Sequence, residues 1–139
     1  MLRLKLPTES ATADVAGVLA RMARRHDVIG LAGTLGTGKT AFARAFINAR
    51  AEQAGVGVLE VPSPTYTLVQ SYDIGGTEIF HFDLYRLDTA DDALELGIED
   101  ALADGMVLIE WPERLGPLVP GRTLRISFAQ GADAGARQL

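Results

Sequence analysis

Residues 33–40 read Gly33-Thr34-Leu35-Gly36-Thr37-Gly38-Lys39-Thr40, a complete match to G-x-x-x-x-G-K-[ST]. These residue types dictate a chemistry. Glycines let successive backbone N–H groups turn inward around phosphate oxygens, so Gly33, Gly36 and Gly38 are candidate contacts. A helix opening where the loop ends adds about half a positive charge aimed at the same anion. Lys39 can reach β- and γ-phosphates, and the Thr40 hydroxyl can ligate Mg²⁺. The context this needs is present: Val28-Ile29-Gly30-Leu31-Ala32 reads as a short apolar strand before the loop, and 39–53 reads as a helix after it. The pattern implies binding of a nucleoside triphosphate.

A triphosphate site also needs a carboxylate at the end of a buried strand to help hold the metal. Two acids qualify. Ile79-Phe80-His81-Phe82 runs into Asp83, and Met106-Val107-Leu108-Ile109 runs into Glu110. The second run is wholly apolar, as a central parallel strand beside the phosphate loop should be. Glu110 is therefore assigned to the metal, and Asp83 to orienting the attacking water or supporting the site from behind. The alternative for Asp83 is a strand-end acid that caps the next turn or pairs with Arg86. Thr65 lies in the stiff segment Pro62-Ser63-Pro64-Thr65, where a nucleotide switch would sense a γ-phosphate. A plain Ser-Pro-Thr turn is equally compatible with those residues. Trp111, the only tryptophan, is either a core or rim aromatic or a wall of the site beside Glu110. Arg86 is an arginine-finger candidate or a surface charge. Guanine-specific switches carry N-K-x-D. The only asparagine is Asn48, followed by Ala49, so adenine is the expected base.

The elements that must position these groups follow from periodicity. Residues 2–6 alternate and read as an edge strand, and Pro7-Thr8-Glu9-Ser10 is a helix start capped by Thr8 or Ser10. Val15, Val18, Leu19 and Met22 follow at helical spacing, ending in the basic cluster Arg21, Arg24, Arg25 and His26, read as a solvated last turn. A short strand is expected over 58–61. A hairpin is expected from 66–73 and 77–83 around Ile74-Gly75-Gly76. Short helices are expected over 88–96 and 99–103, and last strands at 106–109 and 122–128. The fold class implied is α/β: a P-loop NTPase-type three-layer sandwich whose mixed sheet is parallel at its centre with an antiparallel hairpin added. Residues 1–128 form one domain, and the Gly/Ala-rich tail 129–139 is expected to be flexible.

Composition removes other function classes. There are no cysteines, which excludes disulfides and thiolate metal sites, and only His26 and His81 are present, which excludes a histidine-rich zinc site. No apolar run is long enough to cross a bilayer, and the alternating start is not a signal-peptide core, so a cytoplasmic location is expected. The net charge of −5 makes the chain a poor clamp for a nucleic-acid backbone, so any link to RNA should run through a protein partner.

Together these segments resemble the bacterial TsaE (YjeE) family over about residues 6–128. The resemblance rests on Gly33 to Thr40, Ser63-Pro64-Thr65-Tyr66-Thr67-Leu68-Val69, His81-Phe82-Asp83-Leu84-Tyr85-Arg86-Leu87, Glu95-Leu96-Gly97 and Ile109-Glu110-Trp111-Pro112-Glu113, in that order. The opening Leu6-Pro7 with Ser10-Ala11-Thr12 resembles the family start, where a threonine lies near the nucleotide base. The resemblance implies a slow ATPase that supports N6-threonylcarbamoyladenosine formation on ANN-decoding tRNAs, regulating or resetting a transferase complex of TsaD and its paralogue TsaB. It implies ATP contacts at Thr12 and Gly36 to Ala41, Thr37 included. It also implies Mg²⁺ ligation by Thr40 and Glu110, and functional roles for Asp83, Thr65 and Trp111. The chain itself would be monomeric and would meet tRNA only through the complex. Two positions depart from the family pattern: Thr34 stands where an acid is usual, and the tail is short, leaving Arg137 as its one carry-over for a base or partner contact. On the same residues, a small-molecule kinase would need a basic lid that the sequence lacks, and a nucleotide-gated binding module would bind without turnover.

Overall fold

A central sheet in the order β3-β4-β5-β2-β6 organises the computed structural model, which describes residues 5–6, 9–130 and 137–138. Its strands are β2 (Val28–Ala32), β3 (Val69–Ile74), β4 (Thr77–Asp83), β5 (Met106–Glu110) and β6 (Leu124–Ser127). β4, β5, β2 and β6 are parallel, and β3 is paired antiparallel to β4 at the edge. All five residues of β2 and of β5 are buried, as befits adjacent central strands covered on both faces. The Gly75-Gly76 turn, with φ of 60° and 84°, closes the β3–β4 hairpin.

Side-chain parity divides the core into two layers. Ile29, Leu31, Ile79, Met106 and Leu108 face α1 (Glu9–Met22) and α2 (Lys39–Gln53). Val28, Phe82, Val107 and Ile109 face α3 (Asp92–Glu95), α4 (Ile98–Asp104) and the 3₁₀ segment Pro112–Leu118. On α2, Phe42, Ala43, Phe46, Ile47 and Ala51 form the buried stripe. Burying each large apolar side chain contributes about 1.5–3 kcal/mol, so this stripe anchors the helix whose first turn bears the phosphate loop. The Arg50 guanidinium on α2 donates to the Ala20 and Ala23 carbonyls, at 3.1 Å each, satisfying acceptors that the end of α1 leaves open.

Several sequence expectations shift. The buried face of α1 is Thr12, Ala16 and Ala20, with Val15 and Leu19 partly covered, whereas Val18 and Met22 are exposed. Small residues at i, i+4 and i+8 let α1 lie close against α2, so bulk was the wrong guide to its inner face. Ser10 lies inside α1 rather than capping it, and Thr8 is outside the described residues. Residues 58–61 are not a strand. That segment lies along α2, where Leu59 N–H donates to Asn48 Oδ1 at 2.7 Å and Val61 C=O accepts from Arg44 Nε at 3.1 Å. Its backbone is thus satisfied by helix side chains instead of a sheet neighbour.

The first hairpin strand starts at Val69, because Thr65 to Thr67 turn and Leu68 sits at φ 70°. Asp88 to Asp91 are turns, so only Asp92–Glu95 is helical there. Of the expected N-terminal strand, Lys5–Leu6 (β1) is described and residues 2–4 are not. Of the tail, Ala129–Gln130 (β7) pairs with Arg137–Gln138 (β8), and β8 with β1; residues 131–136 and Leu139 lie outside the described residues. No helix among the described residues is long and apolar enough to cross a membrane.

Candidate functional site

The phosphate loop leaves β2 and enters α2 within six residues. Gly33 has φ 146°, and a Cβ there would lie 2.7 Å from the Phe128 carbonyl oxygen and 2.8 Å from Thr37 Oγ1, so only glycine fits. Gly38, at φ 103°, is the residue from which α2 starts, and its carbonyl accepts from Phe42 N–H at 3.0 Å. The Thr37 hydroxyl bridges the loop by donating to the Thr34 carbonyl at 2.7 Å. Loop shape therefore rests on glycine dihedrals and one internal threonine bond, and Thr34 takes part only through its backbone oxygen.

Lys39 is buried, with Nζ donating to the Gly33 and Thr34 carbonyls at 2.7 Å each. The same ammonium lies 4.4 Å from the centroid of the Trp111 ring. Burial holds its pKa below the ordinary 10.5, a shift that Glu110, Asp83 and Glu113 oppose through their charge. Thr40 Oγ1 donates to the Glu110 carboxylate, 2.8 Å from Oε1 and 3.1 Å from Oε2. Glu110 ends the central strand next to β2, in the position expected from its apolar run.

Asp83 ends the neighbouring strand. Its Oδ2 accepts from Thr65 Oγ1 at 3.1 Å and its Oδ1 from Tyr85 N–H at 3.0 Å. The second bond is the turn cap weighed from sequence; the first ties the Ser-Pro-Thr loop to the site. Ser63 Oγ lies 2.7 Å from Thr65 Oγ1, which fixes that threonine further. Arg86 does not enter the site, since its guanidinium stacks 4.3 Å from the Tyr66 ring centroid.

One cleft of about 300 Å³ collects these groups. Thr12, Gly36, Gly38, Lys39, Thr40, Ala41, Thr65, Asp83, Glu110 and Trp111 all line it, joined by Leu35 and Tyr85. The two remaining predicted loop contacts, Gly33 and Thr37, are not among the residues that line it. Trp111 adopts a left-handed backbone, φ 63° and ψ 53°, as the first 3₁₀ turn begins, and this swings its ring over Lys39.

Two residues were missed from sequence. Tyr85 packs on Trp111 with ring centroids 4.9 Å apart. His81 is fully buried with Nε2 2.7 Å from Glu110 Oε2. The signal for His81 was available: it precedes Asp83 by two residues on one strand, so both side chains leave the same face of the sheet.

Comparisons with known proteins agree with this architecture. Residues 6–139 match the profile of the family described as "Threonylcarbamoyl adenosine biosynthesis protein TsaE". The chain is 38% identical to a tRNA threonylcarbamoyladenosine biosynthesis protein TsaE of Rickettsia felis over 90% of its own length and 71% of the relative's. It is 31% identical to the protein of that name from Bacillus subtilis, covering 95% and 80% of the two chains, and 33% identical to that of Treponema pallidum, covering 92% and 90%. The fold superposes on the crystal structure of Bacillus subtilis YdiB with a TM-score of 0.77 at 27% identity, over 99% of this chain and 81% of that one. With the profile spanning nearly the whole sequence, the chain belongs to the TsaE family.

Proposed function

We propose that this protein is a slow, Mg²⁺-dependent ATPase whose nucleotide state regulates or resets the TsaD–TsaB transferase complex in tRNA threonylcarbamoyladenosine biosynthesis. The pathway follows from family membership. The observation that carries the nucleotide reading is the convergence of Lys39, the Thr40–Glu110 hydrogen bond and Asp83 in one cleft at the carboxyl ends of parallel strands. Ligands of open α/β sheets bind at that edge.

Each residue's task follows from its contacts. Lys39 exchanges its carbonyl bonds to Gly33 and Thr34 for the β- and γ-phosphate oxygens, stronger acceptors because they are charged. The backbone from Gly36 to Ala41 cradles the phosphates at the start of α2, and Thr12 and Trp111 border the nucleotide. The donor set fits magnesium: Thr40 and Glu110 offer hard oxygens only, and Mg²⁺ takes few protein ligands while keeping its waters. When bound, the metal would neutralise charge on the β- and γ-phosphates. Asp83, held by Thr65 and the Tyr85 N–H, orients the attacking water. Thr65 couples that carboxylate to the Ser-Pro-Thr loop, which gives the loop a means of sensing the γ-phosphate.

Among the described residues no arginine lines the cleft, which suits low intrinsic turnover, and partners that complete such sites raise rates by up to about 10⁵-fold. The acidic chain works in the cytoplasm and reaches tRNA through its protein partners. The test is ATP hydrolysis by the purified chain, alone and with TsaD plus TsaB. A partner-dependent rise that Lys39→Ala abolishes is the expected result. Equal rates with and without partners would remove the regulatory role. Phosphate transfer to a metabolite instead of water would make the protein a kinase, and binding without any phosphate release would make it a nucleotide-gated module.

A further inference from the structure

His81 combines complete burial with a single polar partner. Its Nε2 lies 2.7 Å from Glu110 Oε2, and Nδ1 has no hydrogen-bond partner. Those facts select a tautomer. A hydrogen on Nε2 is donated to the carboxylate, whereas a hydrogen on Nδ1 would be a buried donor with nothing to receive it. The surroundings explain why this is not ordinary core packing. On the same sheet face, β4 contributes Ile79, and the register partner of His81 on β5 is Leu108, both fully buried apolar residues. An aliphatic side chain at 81 would suit that layer without stranding a nitrogen, so the imidazole's polar content serves Glu110.

The Glu110 carboxylate is thereby divided. His81 takes Oε2, and the shorter Thr40 contact, 2.8 Å, falls on Oε1. A glutamate's terminal torsion is broad when unsupported, so one oxygen gripped from within the sheet sets the direction of the other. We propose that His81 is a positioning residue for Glu110, gripping Oε2 so that Oε1 is presented to Thr40 and to the Mg²⁺ that Thr40 and Glu110 would share. This rests on the magnesium-dependent nucleotide site proposed above. It adds a residue from the strand interior that touches neither nucleotide nor metal.

The test is binding of a non-hydrolysable ATP analogue, read by Trp111 fluorescence, titrated with Mg²⁺ and repeated in EDTA. Removing partners that orient metal ligands costs about 10- to 100-fold in metal affinity. His81→Ala and His81→Asn should therefore raise the Mg²⁺ midpoint by about tenfold or more. Metal-free analogue binding should stay at the wild-type level. His81→Gln should recover most of the loss, because its amide nitrogen falls near the position of Nε2, which the shorter Asn side chain does not reach. If His81→Ala fails to fold, the contrast between Gln and Asn decides. An unshifted midpoint in the folded variants, or equal shifts for Gln and Asn, would overturn the positioning role. A wild-type protein whose analogue binding ignores Mg²⁺ would instead overturn the magnesium reading itself and take the positioning role with it.

Discussion

Asp83 and Glu110 stand directly opposite one another in the parallel register of β4 and β5, both buried at the same end of the sheet. Register partners on neighbouring strands share a face, so both carboxylates look toward α2 and the phosphate loop. Their partners differ. Glu110 binds the Thr40 hydroxyl, at the first turn of α2, while Asp83 binds Thr65 and the Tyr85 N–H, on loops. One acid is fixed to the first turn of a helix, and the other to residues on two loops.

That division predicts different losses. Glu110→Ala should raise the Mg²⁺ concentration needed for nucleotide binding by about tenfold or more, and Asp83→Ala should leave it nearly unchanged while lowering turnover. Isothermal titration with Mg²⁺ and a non-hydrolysable ATP analogue separates the two. The reverse order would mean that the acids have been assigned the wrong way round.

Thr65→Val keeps the shape of the side chain and deletes the hydroxyl donated to Asp83. Turnover should fall about tenfold, equivalent to about 1.4 kcal/mol of barrier, with nucleotide affinity little changed. Thr65→Ser should restore most of the rate. A loss of affinity at unchanged turnover would show that Thr65 contacts the phosphate and does not work through Asp83.

The parts legible in the sequence were those fixed by local pattern. The phosphate loop, the limits of α2, the apolar run of β5 and the placing of Glu110 at its end all follow from residue type and periodicity. What failed depended on tertiary partners. Residues 58–61 look like a strand but find their hydrogen bonds on Asn48 and Arg44 of α2. The inner face of α1 is made of Thr12, Ala16 and Ala20, since closeness to α2 matters more there than bulk. His81 lies on the second strand of a hairpin, which by local pattern alone reads as peripheral. Yet β4 is an interior strand, and the residue two places before a site acid on such a strand lies beside the site.

Gly105 supplies a stability test away from the chemistry. It joins α4 to β5 with extended dihedrals that any residue tolerates, but a Cβ there would collide with the Glu78 carbonyl oxygen and lie 2.9 Å from the Phe80 ring. A backbone oxygen in a paired strand cannot yield cheaply. Gly105→Ala should therefore destabilise the fold by about 1–3 kcal/mol, the range for overpacking. Thermal unfolding should show a drop of several degrees. An unchanged midpoint would mean that β4 shifts at no cost to its pairing with β5.

Lys39 makes a prediction about pH. Burial holds its ammonium pKa below 10.5, so the folded chain gives up this proton more readily than the unfolded chain. Between the lowered value and 10.5 the unfolded state binds more protons, and stability contributed by this site rises with pH. Tyr72 opposes it at the upper end: burial raises its phenol above 10.0, so beyond that pH the folded state keeps a proton the unfolded state has lost, and stability falls. Lys39→Met removes the first effect and leaves the second. Urea unfolding without nucleotide, repeated from neutral pH to about 10.5, should show wild type gaining on Lys39→Met as the pH climbs. A difference that stays constant with pH would mean that Lys39 is not desolvated in the empty site. In that case its bonds to the Gly33 and Thr34 carbonyls would be those of an exposed ammonium and not of a buried charge.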